Sequence, residues 1–207
     1  MRNRSKLLMA AFAAALLMSF AVSAASAGRL SVSNNRIRVT WSPLSLEPGN
    51  VSCNVTLEGS FHSNTIQKVA GALVGYISRA IVAPPAQCTN GEATIVNESL
   101  PWHIRYRGIT GALPRFSGVV IGLVGARFRV HVNSLGATCE VLTTPEHPGV
   151  GTTTTNEEGR VTGLRVDENA RIPLLGLCGA FGLEGSFTGT GAVTLLNAST
   201  PITIRLI

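Results

Sequence analysis

Leu57-Glu58-Gly59-Ser60-Phe61 returns unchanged as Leu183-Glu184-Gly185-Ser186-Phe187, and a cysteine stands shortly before each copy, at Cys53 and Cys178. Self-similarity in fixed order constrains a fold more than any single motif, because each copy asks for a related unit. The similarity extends on both sides. Thr94 to Arg105 lies over Thr194 to Arg205 at an offset of 100, with six of twelve positions identical, among them Pro101/Pro201, Ile104/Ile204 and Arg105/Arg205. Upstream, Gly28-Arg29-Leu30 resembles Gly159-Arg160-Val161. The expected domain plan is one β-domain over 28–207 with repeat-like halves at 28–106 and 159–207. Between Phe61 and Thr94 lie 32 residues, against 6 between Phe187 and Thr194, so the first half carries an insertion.

Met1 to Ala27 reads as an export signal. Arg2, Arg4 and Lys6 start it, Leu7 to Val22 is almost wholly apolar, and Ala25-Ser26-Ala27 suits a signal-peptidase cut. The apolar run is about 16 residues, short of the roughly 20 a spanning helix needs. No later stretch is a candidate span. The leader takes three of the 17 basic residues, so residues 28–207 carry 14 against 11 acids, a net of +3. These charges are scattered singly, which gives no nucleic-acid footprint. All but one of the 14 are arginine, a sign of a GC-rich, bacterial genome.

Cys53, Cys88, Cys139 and Cys178 make an even count in an exported chain, which argues for two disulfides. None stands at C-x-x-C spacing, which speaks against zinc. Of three pairings, Cys53–Cys88 and Cys139–Cys178 are favoured because each closes a comparable loop, worth about 4 kcal/mol in chain entropy.

The hydropathy pattern has period two almost throughout. Ile37, Val39 and Trp41 alternate with Arg36, Arg38 and Thr40. Ala126, Phe128, Val130 and Val132 alternate with Arg127, Arg129 and His131. Val51 to Phe61 reads as a strand in which Gly59 marks a bulge. Asn34-Asn35 and Asn90-Gly91 are turn signals. Pro43 to Asn50 reads as a loop, and Thr143 to Glu158 as the longest polar loop. One segment breaks the period. Ile66, Val69, Ala70, Leu73, Val74 and Ile77 follow helical spacing, which predicts a short helix from Thr65 to Gly75. About ten or eleven strands with one short inserted helix predict an all-β fold, mainly an antiparallel sandwich or barrel.

Thr56-Leu57-Glu58-Gly59-Ser60-Phe61-His62, Leu100-Pro101-Trp102-His103-Ile104 and Gly111-Ala112-Leu113-Pro114 carry a resemblance. In them, and over most of the chain after the leader, it resembles a set of uncharacterised short secreted proteins of GC-rich bacteria. The resemblance implies export; the set has no assigned activity.

Chemistry is thinly signalled. There is no G-x-S-x-G elbow and no H-E-x-x-H helix. The single aspartate, Asp167, excludes a calcium loop of the carboxylate-rich kind. Glu58 and Glu184, equivalent in the repeat, invite comparison with a glycosidase pair, but each reads better as an outward, solvated strand residue. His62, His103, His131 and His147 are dispersed. No catalytic, cofactor or metal residue is assigned. The most distinctive surface is Trp102-His103-Ile104-Arg105-Tyr106: on a strand Trp102 and Tyr106 share one face and His103 and Arg105 the other. These four are the candidate ligand or surface contacts, with core as the competing assignment for the two aromatics. The expected function is an exported non-enzymatic β-module that binds a small apolar ligand, lidded by the inserted helix, or an envelope component. A pocketless structural or interaction protein of the cell surface is the alternative, and a hydrolase the least favoured. The expected location is outside the cell or in its envelope.

Overall fold

The structure, a computed structural model, describes residues 28–84, 87–167 and 169–207. The expected leader and its cleavage site at Ala27 lie outside the described residues. In chain order the strands are β1 (Arg29–Val32), β2 (Arg36–Leu46), β3 (Val51–Phe61), β4 (Thr65–Gln67), β5 (Leu73–Val82), β6 (Gly91–Ile95), β7 (Trp102–Ala112) and β8 (Arg115–Val124). There follow β9 (Arg127–Val132), β10 (Ala137–Leu142), β11 (Gly149–Thr155), β12 (Val161–Val166) and β13 (Ile172–Leu175). A five-residue helix α1 (Gly176–Ala180) leads to β14 (Glu184–Gly185), β15 (Phe187–Leu195) and β16 (Ile204–Leu206). The chain is all-β, as its period-two pattern requires.

Eight strands close an antiparallel barrel in the order β2-β3-β5-β7-β8-β11-β12-β15. Each pairs with the next barrel strand in sequence, and β15 returns to β2, so the barrel is a simple meander. The other strands come from its connections or, for β1 and β16, from the segments before β2 and after β15. At one end β16, β1 and β4 form a three-stranded sheet. At the other, β14, β13, β10, β9 and β6 form a five-stranded sheet. The alternation explains the placement. In β2, Ile37, Val39 and Trp41 are buried while Arg36 and Thr40 are exposed. In β9, Phe128, Val130 and Val132 are buried beneath the barrel mouth.

An eight-stranded barrel is just wide enough for side chains to fill, and this one is filled. Phe128 from the five-stranded sheet enters the mouth, its ring 5.3 Å from that of Trp102 and 5.4 Å from that of Phe187. At the far end Ile66, Ile202 and Ile204 close over Phe61 and Tyr106. Among the described residues, apolar voids of about 80 Å³ and about 30 Å³ lie inside.

Several sequence expectations are corrected. Thr65 to Gly75 is not helical: it is β4, a turn at Ala70–Gly71, and the start of β5. Its apolar residues serve different surroundings. Ile66 and Val74 are buried, while Val69 and Leu73 are exposed. Gly75 lies against β3, where a Cβ would sit 2.5 Å from the Ser60 carbonyl oxygen. Thr143 to Glu158 is not one loop. Gly149–Thr155 is the barrel strand β11, whose Thr153 hydroxyl faces inward and accepts a hydrogen bond from the Val119 N–H at 2.8 Å. Pro43 lies within β2, at a bulge between Trp41 and Leu44 that returns Leu44 and Leu46 to the inner face. Glu58 is not a solvated residue: its carboxylate is largely enclosed between Arg38 and Arg79.

Both expected disulfides are present. Cys53–Cys88 ties the lead-in of β6 to barrel strand β3, and Cys139–Cys178 ties α1 to β10. Both bridges therefore anchor the five-stranded end. The sequence repeat is not expressed as equivalent units. Leu57–Phe61 lies within one strand, β3, whereas Leu183–Phe187 spans the β14–β15 junction at the opposite end. Trp102 and Ile104 belong to the barrel, their counterparts Ile202 and Ile204 to the three-stranded end. What survives is the alternation, since all four are buried.

Candidate functional site on the barrel wall

Strand β7 divides the four candidate residues as its alternation demands. Trp102 and Tyr106 are core. Trp102 is fully buried and its indole N–H donates to the Ser99 hydroxyl at 2.8 Å. Burial raises the Tyr106 phenol above its ordinary pKa, through desolvation. His103 and Arg105 lie on the outer wall, and the structure adds Arg107 to them.

Three local features shape this wall. Arg105 faces Gly122 of β8 in register. Arg107 is the extra residue of a bulge, since Tyr106 pairs with Ile121 and Gly108 with Val120. Bulges re-aim side chains, and this one leaves Arg107 lying along the surface of Gly122. A Cβ on Gly122 would stand 3.1 Å from the Arg107 Cδ and 3.4 Å from the Pro148 Cβ. The missing side chain opens a groove of about 260 Å³, larger than either interior void, lined by Gly71, Arg105, Arg107, Gly122, Pro145 and Pro148.

Both banks of the groove are tied down. On one, the Gly71 N–H donates to the Tyr106 carbonyl at 2.7 Å and the Tyr106 N–H donates to the Ala72 carbonyl at 2.9 Å. An Arg105 Nη1 donates to the Gly71 carbonyl at 2.9 Å. Gly71 takes φ +82°, which a side chain would resist. On the other bank, the Gly125 N–H donates to the Thr143 carbonyl, the Thr143 N–H donates to the Ala126 carbonyl, and the Ala126 N–H donates to the Thr143 hydroxyl.

Four arginines stand beside an acid among the described residues. Glu58 is clamped between Arg38 and Arg79, its cross-strand neighbours on β2 and β5, at 2.9 and 3.2 Å. Glu140 holds Arg127, with Arg129 at 3.7 Å. Among the described residues neither Arg105 nor Arg107 pairs with an acid. The Arg105 Nε is buried without a hydrogen-bond partner, an expensive state for a charged donor. The nearby loop also carries exposed Glu146 and His147.

His103 pairs in register with Tyr76 of β5, whose ring lies 5.8 Å from that of His62. His131 and Thr138 share a hydrogen bond in the five-stranded sheet, and His147 stands in the 143–148 loop. Among the described residues no three of histidine, cysteine, aspartate and glutamate gather as a metal site would. No described helix is long and apolar enough to cross a membrane. A separate exposed apolar group, Leu175, Leu177, Phe181 and Leu183, surrounds α1.

No family model matches the chain, and no curated protein or solved structure matches it.

Sequence reasoning missed Arg107, which lies past the expected strand end at Tyr106 and at a bulge. Gly122, Gly71 and Pro148 were missed as well. Their part depends on the register of β7 with β8 and on two loops distant in sequence.

Proposed function

We propose that the chain is an exported, non-enzymatic β-module that acts through its outer surface on a component of the cell envelope. The observation that carries this reading is the filled barrel. Ligand pockets measure roughly 300–1,000 Å³, whereas the larger interior void is about 80 Å³. Carriage of an apolar ligand inside the barrel is therefore the weaker of the two readings. The two disulfides suit an oxidising compartment, and both secure the end of the molecule richest in inserted structure. The reading is tested by co-sedimentation of the oxidised protein with envelope fragments of a GC-rich bacterium. Saturable retention that falls with ionic strength is expected. Protein that stays in the supernatant at every amount of envelope contradicts it.

A further inference from the structure

We infer that the groove between Gly71 and Pro148 is an oxyanion-binding site, built to take a phosphoryl or carboxylate group borne on a sugar of the envelope. The inference rests on the surface-binding reading and names the chemistry of its ligand.

Four observations converge on it. First, the groove brings together two guanidinium groups, Arg105 and Arg107, that pair with no acid among the described residues. Guanidinium forks match phosphate and carboxylate in geometry as well as charge. Second, the Arg105 Nε is a buried donor without an acceptor. Third, Gly122 faces Arg105 in register, and any side chain there would press on Arg107 and Pro148. Fourth, Arg105 is held by its bond to the Gly71 carbonyl, and a bulge sets Arg107 beside it. A donor fixed before the ligand arrives loses little freedom on binding. The half-exposed Tyr76 and the exposed His103, beside Arg105 on the same outer wall, supply flat faces of the kind on which a sugar ring packs.

The acidic residue that could compete is Glu146, exposed on the Pro145–Pro148 bank and bonded to neither arginine. The groove lies open to water, so binding should weaken as salt is added.

The test is a titration of the ¹⁵N-labelled, oxidised protein with inorganic phosphate and, separately, with glucuronate, followed by amide shifts. Saturable changes centred on Arg105, Arg107 and Gly122 are expected with at least one probe. Response to phosphate alone assigns a phosphorylated ligand, and response to glucuronate alone a uronic one. Arg107→Ala should weaken binding roughly tenfold or more, the loss expected when a hydrogen bond to a charged group is removed. Gly122→Ala should weaken it by filling the groove while leaving both charges. Arg115→Ala, at the tip of the β7–β8 hairpin, should bind as wild type does. An absence of groove shifts with both probes overturns the inference, as does undiminished binding by folded Arg107→Ala. If wild type and Arg107→Ala sediment equally with envelope fragments and neither probe binds, the groove inference fails while the surface reading stands. If neither protein sediments, the surface reading fails, and the amide titration alone decides the groove.

Discussion

The two tryptophans make the clearest contrast between residues. Both are buried, but the Trp102 indole N–H reaches the Ser99 hydroxyl while that of Trp41 has no partner. Replacing an unsatisfied buried donor removes a desolvation penalty along with the packing it loses. Trp102→Phe should therefore cost about 1 kcal/mol more than Trp41→Phe, measured by denaturant unfolding of both variants. Tyr106 gives a pH-dependent counterpart. Its folded-state pKa is raised from 10.0 by burial, so its contribution is complete below pH 10 and is lost as pH rises through the folded pKa. Wild type should lose more stability than Tyr106→Phe on passing from about pH 9 into this alkaline range. Equal losses in the two proteins would remove Tyr106 from the account. The candidate site was half legible at this scale. Alternation put Trp102 and Tyr106 on one face and His103 and Arg105 on the other. It could not show that Glu58 is shielded by Arg38 and Arg79, because those arginines reach it across strands.

Among elements, the barrel depends on the seam between β8 and β11. Gly118 is what lets the two strands close there: a Cβ would lie 1.8 Å from the Thr153 carbonyl oxygen. A clash with backbone has no side chain to move aside, so Gly118→Val should destabilise by more than about 3 kcal/mol, at the far end of single-substitution effects. Thermal unfolding checks this, and a melting temperature close to wild type would contradict the seam. The same seam explains the largest misreading of the sequence. Thr152–Thr155 is polar, but one inward hydroxyl bonded to β8 suffices to seat it in a barrel. The apolar residues between Thr65 and Ile77 misled in the opposite way. Their helical spacing is real, yet Val69 and Leu73 are exposed, and the close approach of Gly75 to β3 requires a strand. Where strands alternate without interruption, as over Arg127–Val132, reading and structure coincide.

At the scale of the molecule, a meander of eight strands is closed at one end by β1, β4 and β16 and at the other by a five-stranded sheet drawn from its connections. Both disulfides stand at the five-stranded end. The all-β class and both bridges were legible because they follow from period-two patterning and from comparable loop lengths. The filling of the interior was not, since it depends on Phe128 entering from a separate sheet. That filling is the central claim, because the proposed surface function rests on it. Native mass spectrometry of the oxidised protein tests it most directly. The account predicts the bare chain mass with two disulfides and no retained apolar molecule, from every host in which it is made. A stoichiometric apolar adduct that leaves only on denaturation would contradict it and return the barrel interior to the centre of the function.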